Sequence, residues 1–255
     1  MKSGPWRIDT VDQTGSTNAD LLARAAAGED IDGAVLIAES QTAGRGRHGR
    51  SWSTPPGSQI ALSAGVGVGT VPSEAWGWLP LLTGVAVVDA VAEVTGVEAG
   101  LKWPNDVLAV AGRDSSASGA GKLAGILAEV AAPAPVVVIG LGLNVTEAPD
   151  PAATSLGLLG APVDRGVLTE AVLRHLAARV DAWRAADGAD AALVADYRSR
   201  SVTIGNRVRA VLPGDRTVSG VAEDVDGIGR LRIDTGEEVV TVSAGDITHL
   251  RPANP

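Results

Sequence analysis

Val136-Val137-Val138-Ile139-Gly140-Leu141-Gly142-Leu143-Asn144-Val145 is the stretch on which the fold turns. An apolar run feeding into spaced glycines imitates a dinucleotide-binding fingerprint, which needs a further glycine and a helix immediately after it. Here Asn144-Val145 leads toward Pro149 instead, so a doubly wound dinucleotide fold is rejected. What remains is a strand whose glycines let it pass close to a ligand, with Asn144 a polar group inside an apolar run.

Three further segments upstream carry chemistry-bearing residues. Lys122-Leu123-Ala124-Gly125-Ile126-Leu127-Ala128-Glu129 opens a strand predicted over Leu123 to Val130. Gly121-Lys122 invites a P-loop reading, but Ser116 stands where the first glycine belongs and Leu123 where Ser or Thr should meet the metal. A lone lysine at a strand edge is otherwise an ordinary solvated cation. Lys102-Trp103-Pro104-Asn105-Asp106 offers a cation, an amide and a carboxylate at a strand end. Asp106 suits Mg²⁺, directly or through water, although Pro-Asn-Asp turn chemistry alone also explains the segment. Gly44-Arg45-Gly46-Arg47-His48-Gly49-Arg50-Ser51-Trp52 sets three arginines among glycines. Such a loop lets its backbone approach a ligand while its cations surround a polyanion such as ATP or an acyl-adenylate. The competing reading is a solvated basic loop or an RNA-binding Gly-Arg segment.

Around these segments the periodicity predicts a helix after Ser16-Thr17-Asn18 ending before Gly28, a helix over Leu79 to Thr95 stopped by Gly96, a helix over Val167 to Ala186, and a short one over Ala191 to Arg200. Strands are predicted at Val35 to Glu39, Ile60 to Val66, Leu101 to Trp103, Val107 to Val110 and Val136 to Ile139. Residues 112–121 are small, polar and glycine-rich and are expected to be mobile. After Ser201, short β-like runs at Arg207 to Leu212, Val218 to Val225, Leu231 to Asp234 and Val239 to Val242 are separated by Pro213-Gly214, Asp226-Gly227 and Thr235-Gly236, the pattern of a small antiparallel barrel. The expected division is 1–201 and 202–255.

The net charge of −9 argues against general nucleic-acid binding, because phosphate backbones select for excess Lys and Arg. With no cysteine there is no disulfide, thiolate metal site or cysteine nucleophile. No apolar leader follows Met1, and apolar runs are broken by Gly, Pro or charge, so the expectation is a cytoplasmic protein without a membrane span.

Taken in order, the Gly-Arg loop ending in Ser51-Trp52, Lys102 to Asp106, Lys122 to Leu127 and Gly140 to Val145 closely resemble the catalytic domain of biotin protein ligases. Ser16-Thr17-Asn18 and Gln41-Thr42-Ala43 fit the same family, and the resemblance spans roughly Thr14 to Val145 and, more loosely, the C-terminal barrel. It implies an α+β fold: a mixed-sheet catalytic domain related to class II aminoacyl-tRNA synthetases, plus an SH3-like C-terminal β-barrel. It implies an ATP-dependent ligase that forms biotinyl-5'-AMP and transfers biotin to a lysine of the biotin carboxyl carrier domains of acyl-CoA carboxylases, with Mg²⁺.

By the same resemblance, Lys122 and Arg47 are catalytic. Ser16, Thr17, Asn18, Gln41, Gly44, Arg45, Gly46, Gly125 and Gly142, with Arg47 and Lys122, take biotin. Trp52, Lys102, Asn105 and Asn144, with Arg47, take the nucleotide, and Asp106 serves Mg²⁺. Too few residues precede Ser16 for the DNA-binding domain of repressor members, so no operator role is expected. His48 departs mildly from relatives that carry Arg there, which puts that site's charge in doubt. A lipoate-type ligase and a nucleic-acid-binding regulator are the rival readings; monomer and homodimer both remain open.

Overall fold

A computed structural model describes residues 6–52, 55–110, 121–132, 135–148, 150–212, 216–243 and 246–249. The larger sheet is built from β1 (Arg7–Thr14), β2 (Ala34–Gln41), β3 (Gln59–Gly67), β4 (Ala99–Lys102), β5 (Asp106–Ala109), β6 (Lys122–Ala131) and β7 (Val136–Asn144). Their spatial order is β1-β2-β3-β7-β6-β5-β4. The pair β1/β2 is parallel and all other neighbours are antiparallel, so the sheet is mixed, as expected. The segment 112–120, expected to be mobile, lies outside the described residues.

Alternation along the strands sorts side chains onto two faces. Ala34 and Leu36 of β2, with Val136 and Val138 of β7, pack with Leu21 and Ala25 of helix α1 (Thr17–Ala26). Val35, Val137 and Ile139 face the opposite way, into the main core. That core is filled by α2 (Trp78–Thr95) and α3 (Arg165–Ala185), which pack on each other. The result is three layers: α1, the sheet, and the α2/α3 pair.

Helix starts follow the expected chemistry. Ser16 caps α1 by accepting from the Ala19 amide, and Asp164 caps α3 by accepting from Val167. Helix α4 (Ala191–Arg200) is capped by Asp190. Asp89 of α2 accepts from Arg179 of α3 at 2.8 Å and from Arg200 of α4 at 2.7 Å, tying three helices together by one carboxylate. Helix α2 belongs to the one stretch among the described residues long and apolar enough to cross a membrane, Ser73–Thr95; most of its apolar part is buried inside the protein, where it serves as the core helix.

A second sheet follows: β8 (Arg207–Val211), β9 (Thr217–Val225), β10 (Leu231–Asp234), β11 (Val239–Val242) and β12 (Asp246–His249), in the order β11-β10-β9-β8-β12, all antiparallel. Its buried residues, among them Val208, Ala222, Leu231 and Ile233, join the same apolar cluster as α2. Two tryptophans pin it in place. Trp78 donates to the Gly227 carbonyl at 2.8 Å and the buried Trp103 to that of Gly229 at 3.0 Å.

Two strands were not anticipated. β1 is an edge strand with only Val11 and Thr14 partly covered, so no apolar alternation announces it. β12 closes the small sheet through four residues on β8. In addition, β7 runs five residues past Ile139, because Gly140 to Asn144 keep pairing with β3 on one side and Gly140 to Leu143 with β6 on the other.

Candidate active site

On the α1 face of the sheet, the row of side chains stops where β6 and β7 turn to glycine. Gly125 pairs with Gly142 and Leu127 with Gly140, while across β7 the partners of Gly142 and Gly140 are Ala61 and Ser63. Helix α1 begins just beside this bare area. The outcome is a cavity of about 630 Å³ whose floor is backbone and small side chains.

One end of the cavity is a neutral hydrogen-bonding cluster. The buried Ser63 hydroxyl lies 2.7 Å from the Thr17 hydroxyl and donates to Asn18 Oδ1 at 2.5 Å. Gln41 Oε1 accepts from the Thr17 amide at 2.9 Å and from its hydroxyl at 3.2 Å. Asn18 lies flat across β7 only because residue 140 has no side chain: a Cβ there would sit 2.3 Å from Asn18 Oδ1.

The other end is charged. Arg47, Arg50, Lys102 and Lys122 line it with Asp106 and Asp150, while Arg45 reaches Glu129 beside Asn18. Lys122 Nζ meets Asp106 Oδ1 at 2.6 Å and stands 5.4 Å from the centre of the Trp52 ring. Arg47 donates to Asn105 Oδ1 at 3.4 Å, and the Asn105 amide donates to the Ile126 carbonyl at 2.9 Å. Asn144 donates to the carbonyls of Lys122 and Thr154. Its Oδ1 is buried and has no hydrogen-bond partner among the described residues.

The Gly-Arg loop covers these groups. Gly44 does not line the cavity; its carbonyl accepts from the Trp52 amide at 2.8 Å and closes the neck of the loop. Within the loop the Gly46 amide donates to Arg50 at 2.7 Å. His48 and Gly49 take left-handed backbone angles (φ 55° and 72°), which turns the chain back. Trp52 descends from the loop onto the floor. Its indole donates to Gln59 Oε1 at 2.6 Å and packs so tightly on β7 that a Cβ at residue 142 would lie 2.3 Å from it.

Apart from Gly44, every residue singled out from the sequence thus faces one cavity: Ser16, Thr17, Asn18, Gln41, Arg45, Gly46, Arg47, Trp52, Lys102, Asn105, Asp106, Lys122, Gly125, Gly142 and Asn144. Sequence reasoning missed Ser63, Gln59 and Glu129. A signal existed for Ser63, the one hydroxyl in a strand otherwise made of apolar residues and glycine between Ile60 and Gly67.

Residues 12–144 match the Biotin/lipoate A/B protein ligase family, and residues 203–250 match the biotin protein ligase C-terminal domain. Across 96% of its length the chain is also 58% identical to the biotin–[acetyl-CoA-carboxylase] ligase of Mycobacterium tuberculosis, of which it covers 90%. The chain belongs to the biotin/lipoate protein ligase family. Another member, the bifunctional ligase/repressor BirA of Bacillus subtilis, is 31% identical over 85% of this chain and 66% of its own. A biotin protein ligase from Aquifex aeolicus, solved in complex with biotin and ATP, shares the family fold: TM-score 0.78 at 24% identity, covering 96% of this chain and 99% of that one. The family therefore accounts for the mixed sheet and the small C-terminal sheet alike.

Proposed function

We propose that the protein joins biotin to ATP as biotinyl-5'-AMP and passes the biotinyl group to a lysine of a biotin carboxyl carrier domain of an acyl-CoA carboxylase. The observation that carries this reading is the graded cavity: neutral donors and acceptors at one end, a glycine floor between, and clustered cations at the other. Biotin has the matching polarity, with a neutral ureido ring at one end and a carboxylate at the other. The name of the M. tuberculosis relative and the ligands of the A. aeolicus structure agree with it.

In this reading Ser16, Thr17, Asn18 and Gln41 take the ureido end, and Gly125 and Gly142 keep the floor low enough for the Trp52 indole to lie flat on it as one wall for the ring system. Gly44 and Gly46 let the loop close. Arg45 and Arg47 meet the carboxylate and phosphates. Lys102, Asn105 and Asn144 serve the nucleotide. Trp52, packed on Gly142 and beside Lys122, walls the junction between biotin and nucleotide.

The first step forms a bond from a biotin carboxylate oxygen to the α-phosphorus of ATP and breaks the bond to pyrophosphate. Two unit negative charges at about 4 Å repel by roughly 4 kcal/mol at an effective dielectric near 20. Lys122 and Arg47, fixed at the meeting point, offset that repulsion where it is largest. In the second step the acceptor amine attacks the acyl carbon and AMP leaves. The mixed anhydride must be kept from water in between, which is the task of the Gly-Arg loop.

Magnesium fits as an ion carried by the nucleotide. Among the described residues no group of three His, Cys, Asp or Glu could cage a metal, while Asp106 offers one carboxylate in the cavity. That matches the habit of Mg²⁺, which keeps waters and takes few protein ligands. When bound, it supplies charge neutralisation across the phosphates. In this reading the protein works where ATP and the carrier domain are, in the cytoplasm.

Pyrophosphate release measured with biotin and with lipoate as alternative acids tests the reading. Release with biotin and background with lipoate is expected; release with lipoate alone would overturn it.

A further inference from the structure

Glu129, on β6, has no part in the roles above, yet it touches both ends of the machinery that must act together. One oxygen, Oε2, accepts from Asn18 Nδ2 at 2.8 Å and from Arg45 Nη2 at 2.9 Å. Asn18 is 3% exposed and belongs to the neutral cluster through Ser63. Arg45 is exposed and belongs to the Gly-Arg loop. No other side chain among the described residues hydrogen-bonds to both.

The pair also stands at a boundary. A second cavity of about 720 Å³ lies between the loop, the turn before α2 at Glu74 and Gly77, and the β9–β10 turn at Ile228 to Arg230. Arg45 lines both cavities, whereas Glu129 lines only the outer one. Their ion pair therefore stands where the two cavities adjoin.

We infer that Glu129 is a positioning residue that latches the Gly-Arg loop to the ureido-end cluster, so that filling the Asn18 end and closing the loop reinforce each other. The inference rests on the reading of the cavity as a biotin and adenylate site. The physical basis is that one carboxylate oxygen shared by two donors couples them: a ligand that orders Asn18 sharpens the acceptor for Arg45, and loop closure over that ligand orders the carboxylate for Asn18. A half-exposed ion pair has modest strength, which suits a latch that must open again for product to leave.

Two substitutions separate the arms. Glu129→Gln keeps an acceptor for Asn18 but removes the charge that attracts Arg45; Glu129→Ala removes both. The measurements are the rate at which preformed biotinyl-5'-AMP leaves the enzyme, the KM for biotin, kcat, and amide exchange across residues 44–52. Expected for Glu129→Gln is release faster by roughly two- to five-fold, faster exchange in the loop, and a nearly unchanged KM for biotin. Glu129→Ala adds a raised KM for biotin. In an Arg45→Gln background, Glu129→Gln should have little further effect on release, because the interaction is already gone. A purely structural role would lower thermal stability and leave release and loop exchange untouched, and that outcome overturns the inference. So does an additive double variant. If the wild-type protein forms no biotinyl-5'-AMP, the functional reading itself fails; if it does and the variants match it, only the latch fails.

Discussion

The floor of the cavity and its cover are made in opposite ways. The floor is β6 against β7, paired without interruption from Ala124–Leu143 to Ala131–Val136 and backed on its other face by the α2/α3 core. The cover is a nine-residue loop, 44–52, held by a few backbone hydrogen bonds, the Arg45–Glu129 pair and the Trp52 anchor. Ladder hydrogen bonds and buried apolar surface fix the floor in one shape, whereas the loop has little to bury and gains its order from ligand contacts. A site that must hold a reactive intermediate and later release it needs both parts: one that does not move and one that does.

The sharpest way to break the comparison is at Lys122, which rises from the floor toward the chemistry. Lys122→Ala should lower biotin-dependent pyrophosphate release about 10²- to 10³-fold, the usual scale for one charge-stabilising donor. Its partly exposed pair with Asp106 contributes no more than about 1 kcal/mol to folding, so thermal unfolding should hardly change; retained activity would remove Lys122 from the mechanism. Next comes the floor itself. Gly142→Val puts a side chain where the Trp52 indole lies, at a cost of about 1–3 kcal/mol in a packed place. Biotin binding by calorimetry should weaken by roughly ten- to hundred-fold, and Trp fluorescence should report a displaced indole. Unchanged affinity would show that the bare strands do not form the binding surface.

The cover responds to ligand rather than to packing. Amide exchange over residues 44–52 should slow on adding biotinyl-5'-AMP, while exchange in β6 and β7 stays slow with or without it. Equal protection of the loop in both conditions would end the distinction between the two parts. The smallest effect concerns the small sheet, whose turn at Asp226 supports the Trp78 and Trp103 contacts. Burial pushes the Asp226 carboxyl up, but hydrogen bonds from the Arg230 and Ile228 amides and the Arg230 side chain outweigh it and hold the group below its ordinary 3.8. Its stabilisation is therefore complete above that value and is lost as pH falls through the lower folded value. The difference in Tm between wild type and Asp226→Asn should shrink below about pH 4; a difference independent of pH would contradict this.

Much of the arrangement was legible in the sequence because its causes are local. Ser16 with a helix-forming run, Gly96 after an apolar stretch, and the turn residues beyond Ser201 fix elements by short-range chemistry. The Gly-Arg loop and the lysine strand resemble their family without any need of tertiary contact. The rest is tertiary. β1 is written in polar residues because an edge strand buries little. Glu129 looks like the solvated end of a strand until folding brings it to Arg45, 84 residues away. Lys122 and Asp106 meet only because β5 pairs with β6. One signal is legible only in part without the fold: the glycines of β7 announce a close approach to a ligand, but it is their alternation, with Asn144, against Ile139, Leu141 and Leu143 that gives the strand an apolar face and a bare one.

The whole account assumes that the graded cavity makes and then delivers an acyl-adenylate. Incubating the intact protein with biotin, Mg-ATP and a biotin carboxyl carrier domain, then weighing the carrier by intact mass spectrometry, tests that directly. A gain of one biotinyl group, absent without ATP and absent when the acceptor lysine is replaced, is the predicted result. A carrier of unchanged mass beside a folded enzyme would contradict it.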